Sequence, residues 1–141
     1  MALARFANKA QRAAGLCGEV NILLTGDAEM QRLNLRFRHK DAATDVLSFP
    51  ADNAALPAGA GGDIAISIQR ARAQASAIGH DLLTEVKVLI LHGMLHLAGH
   101  DHESDGGQMR KLEQKLRAGL NLPEGLIERT DVAPRRGRRR R

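Results

Sequence analysis

The stretch LLTEVKVLILHGMLHLA, Leu82 to Ala98, constrains this fold more than any other. Asp81 precedes it as a helix-capping side chain, and Leu82, Val86, Leu89 and Ile90 fall on one strongly apolar stripe, so the segment reads as a single long helix. The rest of the chain has to bury that stripe. The material available is aliphatic: 43% of the 141 residues are apolar, with no Trp or Tyr and only three Phe. A chain of this length can build one domain with a core of its own. So few aromatics also argue against nucleic-acid binding through stacked aromatic platforms.

Around the main helix the pattern alternates between helical and extended segments. Residues 3–14 read as a helix with Leu3, Phe6, Ala7, Ala10 and Ala14 along one side and Gly15 as its stop. EVNILLT (Glu19 to Thr25) is β-prone, and Asp27 is placed to cap a helix reaching about Arg36, with Met30, Leu33 and Phe37 on its inner face. TDVLSFP (Thr44 to Pro50) and DIAIS (Asp63 to Ser67) read as short strands, separated by a turn-rich surface loop from Ala51 to Gly62. Further helices are expected over 68–78, stopped by Gly79, and over about 107–118, with Met109, Leu112 and Leu116 inward and Gly119 at the end. The expected fold is α+β: one domain over residues 1–133, with a small, mostly mixed sheet packed by four to five helices.

The net charge of +5 is concentrated at one end. Six of the 21 Lys and Arg lie in RRGRRRR, Arg135 to Arg141, against 16 acids in all, so the remainder carries about −1. Residues 134–141 are therefore expected to form a disordered Arg-rich tail, able to attract a polyanion but not part of the fold. Cys17 is the only cysteine and reads as a small packed residue; no intrachain disulfide is possible, and a reducing cytoplasm is the expected location. The longest apolar run, Val88 to Leu91, is far too short to cross a bilayer, and the first fifteen residues lack a hydrophobic signal core. No membrane association is expected.

Four of the six histidines fall within HGMLHLAGHDH, His92 to His102. His92 and His96 are one helical turn apart, about 6 Å along the axis, which offers two nitrogens to one metal ion. His100 on the same straight helix would stand about 12 Å from His92, too far to share an ion whose bonds to nitrogen are near 2 Å. Gly99 sits where the chain can turn back, after which His100 or His102 could close the site. Three imidazoles leave a coordination position open for water, and zinc best suits three neutral nitrogens. The spacing matches a metalloprotease pattern except that Gly93 stands where those enzymes carry their catalytic glutamate, which argues against peptide hydrolysis by that route. His100 and Asp101 remain candidates for orienting a ligand or carrying a proton.

HGMLHLAGHDH closely resembles the signature H-G-x-L-H-L-x-G-[YH]-D-H of the YbeY family of bacterial endoribonucleases that mature ribosomal RNA. LNLRFRHKDAATDVLSFP (Leu33 to Pro50) is similar to a second motif of that family, and GDIAIS (Gly62 to Ser67) and the pair Met109 and Glu113 also fit. The resemblance covers roughly residues 5 to 122. It implies one zinc per chain held by His92, His96 and His102, and a functional arginine at Arg38. A guanidinium there suits a phosphodiester, binding its oxygens and offsetting charge in a pentacoordinate transition state.

The resulting expectation is a zinc-dependent, single-strand-specific endoribonuclease. It would act on precursor ribosomal RNA, including the 3′ end of the small-subunit RNA, and in ribosome quality control, with the small ribosomal subunit and its proteins as partners. Because the body is nearly neutral, RNA has to be held by a local basic groove, for which Arg36, Arg38, Lys40 and Arg70 are the candidates, or through a ribosomal protein. Two other readings compete: a non-catalytic ribosome-assembly factor with a structural zinc, and a zinc peptidase.

Overall fold

The structure is a computed structural model that describes residues 2–51, 61–99 and 107–123. The chain divides into two compact units, residues 1–100 and 101–141. In the first, the described elements are α1 (Ala2–Ala13), β1 (Val20–Thr25), α2 (Asp27–Arg38), β2 (Val46–Pro50), β3 (Gly62–Ser67), α3 (Ile68–Ile78) and α4 (Leu82–Leu97). In the second it is α5 (Gln108–Gly119). Five helices and three strands among the described residues give the α+β architecture expected. Within the loop expected over 51–62, residues 52–60 lie outside the described residues, as does the Arg-rich tail.

The sheet is mixed, in the order β1-β3-β2: β3 pairs in parallel with β1 and antiparallel with β2. Ile64, Ala65, Ile66 and Ser67 of the central strand are all buried, because both faces of the sheet are covered. On one face Leu47 and Ala65, directly paired, pack with Met30 of α2, while Leu33 and Phe49 lie against the same cluster. On the other face the paired Ser48 and Ile64 lie against Gly93 of α4. Phe6 and Ala10 of α1 are buried, Gly15 turns left-handed after the helix, and Leu16 is buried just beyond it. α1 and α3 both pack on α4.

Three expectations need correction. Asp27 does not cap α2: Gly26 holds the cap position, and the Asp27 carboxylate instead accepts from Ser67 Oγ at 2.6 Å and pairs with Arg70 Nε at 3.4 Å. Phe37 is not buried. It meets Phe49 at the edge of the Met30–Leu47–Ala65 cluster, near the end of α2, and the residue stays 55% exposed. Cys17 is exposed rather than packed. No described helix is long and apolar enough to cross a membrane.

Candidate functional site

Helix α4 is buried almost all round, so its two partly exposed histidines stand out against an apolar background. Its start is fixed by Asp81, whose Oδ1 accepts the Thr84 N–H at 2.8 Å. Hydrogen bonds from the Thr84 side chain and backbone hold the Asp81 carboxyl below its ordinary range. Its end is fixed by Gly99, which adopts φ +100° and whose N–H reaches the His96 carbonyl at 3.0 Å. That is the left-handed turn the sequence calls for.

One turn apart on this helix, the His92 and His96 rings are 4.7 Å between centroids and inclined at 68°. Their Nε2 atoms approach to 3.1 Å. A tetrahedral ion with bonds of 2.0–2.1 Å holds two nitrogens about 3.3 Å apart, so these donors fit a shared metal without rotation of the helix. No group of three potential ligands stands together among the described residues. His100, Asp101 and His102, the other members of the expected cluster, lie outside the described residues.

Gly93 has a packing role as well as a chemical one. A Cβ there would lie 2.9 Å from Ile64 Cγ2 and 3.2 Å from Ser48 Oγ, and the Gly93 carbonyl accepts the Ser48 hydroxyl at 3.1 Å. The residue that removes a general base from the protease pattern is therefore also what lets α4 lie directly on the sheet. Its position beside His92 means that the helix–sheet spacing sets the height of the imidazoles.

Arg38 ends α2 and is exposed. His39 follows in the left-handed conformation at φ 59°, an uncommon state for a side chain with a Cβ, with its N–H bonded to Leu35 O at 3.1 Å. The chain then folds back along α2: Lys40 N–H reaches Asn34 O at 3.2 Å, Asn34 Nδ2 donates to Ala42 O at 2.8 Å, and Gln31 Nε2 donates to Asp41 Oδ1 at 2.8 Å. Asn34 and Asp41, both inside the matched motif, thus hold the turn that presents Arg38. The sequence reading missed that role, although a buried asparagine eight residues from its acceptor leaves only the motif itself as a signal.

The basic candidates separate into two places. Arg36, Arg38 and Lys40 cluster at the C-terminal end of α2. Arg70 sits at the other end of that helix, about 16 Å away along its axis, tied to Asp27. The C-terminal end of α2 and that of α4 reach the same end of the sheet from opposite faces. Phe37 stacks edge-on against Phe49 at 5.3 Å, and Leu97 Cδ2 lies 3.0 Å from where a Cβ of Gly62 would be. Phe49 and Gly62 belong to adjacent pairs of the β2–β3 ladder.

Fold and site define the class as an α+β protein with a histidine-bearing helix laid on a small mixed sheet. Comparison with known proteins agrees and narrows it. The family described as Endoribonuclease YbeY matches residues 1–121, so the chain belongs to that family of RNA-cutting hydrolases. Its relatives named Endoribonuclease YbeY include one from Koribacter versatilis, 50% identical over 99% of this chain and 89% of its own length. Another, from Solibacter usitatus, is 53% identical over 91% of this chain and 84% of the relative. The solution structure of TM1509 from Thermotoga maritima is 22% identical, with a TM-score of 0.54 over 96% of this chain and 89% of that one, and supports the fold.

Proposed function

We propose that this chain is a zinc-dependent endoribonuclease specific for single-stranded RNA, working in the cytoplasm on precursor ribosomal RNA. The 3′ end of the small-subunit RNA and defective ribosomes are its targets, and the small subunit with its proteins is its partner. The observation that carries the reading is the 3.1 Å approach of His92 Nε2 and His96 Nε2 on a helix whose other faces are buried. One zinc is held by these two with His102, and when bound it supplies an acidified water and a polarised phosphoryl oxygen. Arg38 grips the scissile phosphodiester with its fork and offsets the charge that builds up as the fifth oxygen joins phosphorus. Arg36 and Lys40 extend the grip along the strand, while Arg70, at the other end of α2 and paired with Asp27 at 3.4 Å, would meet RNA away from Arg38. His100 and Asp101 orient a ligand or carry a proton. The tail after Pro134 adds a sequence-independent attraction to polyanions.

The test is incubation of the purified full chain with a precursor rRNA fragment, alongside His96→Ala and Arg38→Ala and with zinc quantified by elemental analysis. Wild type is expected to cut and to hold one zinc. His96→Ala should lose both, and Arg38→Ala should lose cleavage while keeping zinc and the wild-type circular dichroism spectrum. Unchanged cleavage in both variants identifies a contaminating nuclease. A zinc-loaded wild type that never cuts is an assembly factor, and chelator-sensitive peptide cleavage would make it a peptidase.

A further inference from the structure

Phe37 is the most exposed large apolar side chain among the described residues, at 55%, yet it is not loose. Phe49 meets it edge to face at 5.3 Å and 62°, and the Arg36 guanidinium carbon lies 5.2 Å from its ring centroid. It also immediately precedes Arg38, in a run Arg36–Lys40 that carries three fixed positive charges and no acid. The first acid after it, Asp41, is bonded to Gln31. A braced, half-exposed ring with an arginine beside it in a basic turn has the features of a surface that stacks an unpaired base.

Building on the endoribonuclease reading above, we infer that Phe37, with Arg36 beside it and Phe49 bracing it, is the shelf on which one unpaired RNA base stacks next to the phosphate held by Arg38. A chain poor in aromatics does not need several platforms; one, at the right phosphate, is sufficient, and the expectation drawn from composition is revised accordingly. The shelf also supplies a physical basis for strand selectivity. A base within a duplex is already covered on both faces and cannot present one to Phe37 without unpairing. Because Phe49 already fixes the ring, little side-chain freedom is lost when a base arrives.

The experiment measures binding of fluorescein-labelled single-stranded RNA by anisotropy, at one fixed salt concentration, for wild type, Phe37→Ala and Phe37→Tyr of the full chain. Oligonucleotides carrying a single abasic site are tested at each position. Phe37→Ala is expected to weaken binding about ten-fold, and Phe37→Tyr to stay close to wild type. One abasic position should cost wild type the same factor and Phe37→Ala nothing. In cleavage, KM should rise by that factor with kcat little changed. Equal binding by wild type and Phe37→Ala, or fully additive effects of Phe37→Ala and the abasic site, overturns the shelf. So does loss of ribosomal-protein capture at unchanged RNA affinity, which would make the patch a protein-docking surface. If wild type shows this stacking pattern but cuts no RNA, the shelf stands and the endoribonuclease reading fails; if wild type cuts and Phe37→Ala matches it throughout, only the shelf fails.

Discussion

Gly93→Ala tests whether close helix–sheet contact positions the histidine pair. In an exposed helix interior this change gains about 1 kcal/mol, because alanine has the better helix propensity. Here the new methyl would come within 2.9 Å of Ile64 Cγ2, 3.1 Å of Ile64 Cδ1 and 3.2 Å of Ser48 Oγ. Ile64 is fully buried and β-branched, so it cannot swing aside. Overpacking of this kind costs about 1–3 kcal/mol, which outweighs the propensity gain and leaves a net loss of about 1 kcal/mol. In an Ile64→Ala background only the 3.2 Å approach to Ser48 Oγ remains, and the same substitution should range from neutral to stabilising by about 1 kcal/mol. The two sites should therefore couple by about 1–2 kcal/mol in a double-mutant cycle. Urea denaturation followed by far-UV circular dichroism, with metal chelated so that binding does not enter, measures it. Should Ile64→Ala prove too unstable, Ile64→Val removes the Cδ1 contact alone and should recover part of the loss. Gly119→Ala, where a Cβ meets nothing within 4 Å, is the control and should be neutral or stabilising. Strict additivity, or stabilisation by Gly93→Ala in the wild-type background, would refute the reasoning. Since α4 can relieve the clash only by lifting from the sheet, zinc affinity should fall in the single variant and recover in the double.

Two further perturbations probe the rest of the structure. Glu113 and Arg117 of α5 are each 1% exposed and paired at 2.6 Å, so Glu113→Ala should destabilise by about 3–5 kcal/mol, whereas Glu113→Leu with Arg117→Met should be near neutral; urea midpoints decide. The Asp81 carboxyl is depressed in the folded chain by its bonds to Thr84, so its capping contribution is fully present above its unfolded value of 3.8 and fades as pH falls through the lower folded value. Asp81→Ala should accordingly lower Tm at pH 7 and have progressively less effect as the pH falls below 3.8, as scanning calorimetry over a pH series would show.

What the sequence reveals most clearly here is local geometry. The His92–His96 pairing follows from helical spacing alone, and the turn at Gly99 from the one residue type that takes its conformation freely. The end of α3 and the start of α4 were legible because Gly79 and Asp81 are clear stop and start residues, whereas the cap that Ser67 places on α3 emerges only from the structure. Phe37 was misread because periodicity places a side chain on a helix face but does not say where the opposing surface ends. Asp27 was misread because its carboxylate found better partners in Ser67 and Arg70, forty residues away, than in its own helix. Burial of Glu85, Glu113 and Arg117 escaped because a periodicity argument sends charges outward, although Glu113 and Arg117 pair with each other one turn apart on α5. The motif Leu33–Pro50 singled out Arg38 by resemblance, yet the turn is shaped by Asn34 and Asp41 within it and by Gln31 just before it.

The rim where α2 and α4 both end poses an electrostatic problem for any enzyme that acts on phosphate. Each helix presents the negative end of its dipole there, equivalent to roughly half a charge, which repels a phosphodiester and attracts cations. At α2 the basic side chains of the last turn, Arg36 and Arg38, reverse that sign. At α4 the last turn offers instead His96, its Nε2 converging with that of His92 one turn earlier, and a cation bound there would turn a weakly negative terminus into a positive one. The same dipole that disfavours substrate therefore favours the groups needed to bind it. This is consistent with arginines at one helix end and a histidine pair at the other, rather than the helix N-termini that commonly cradle phosphates. On the proposed function, a body with a charge of about −1 would hold RNA by positive charge along one end of the sheet alone, from Arg36 and Arg38 on one face and from a cation at His92 and His96 on the other.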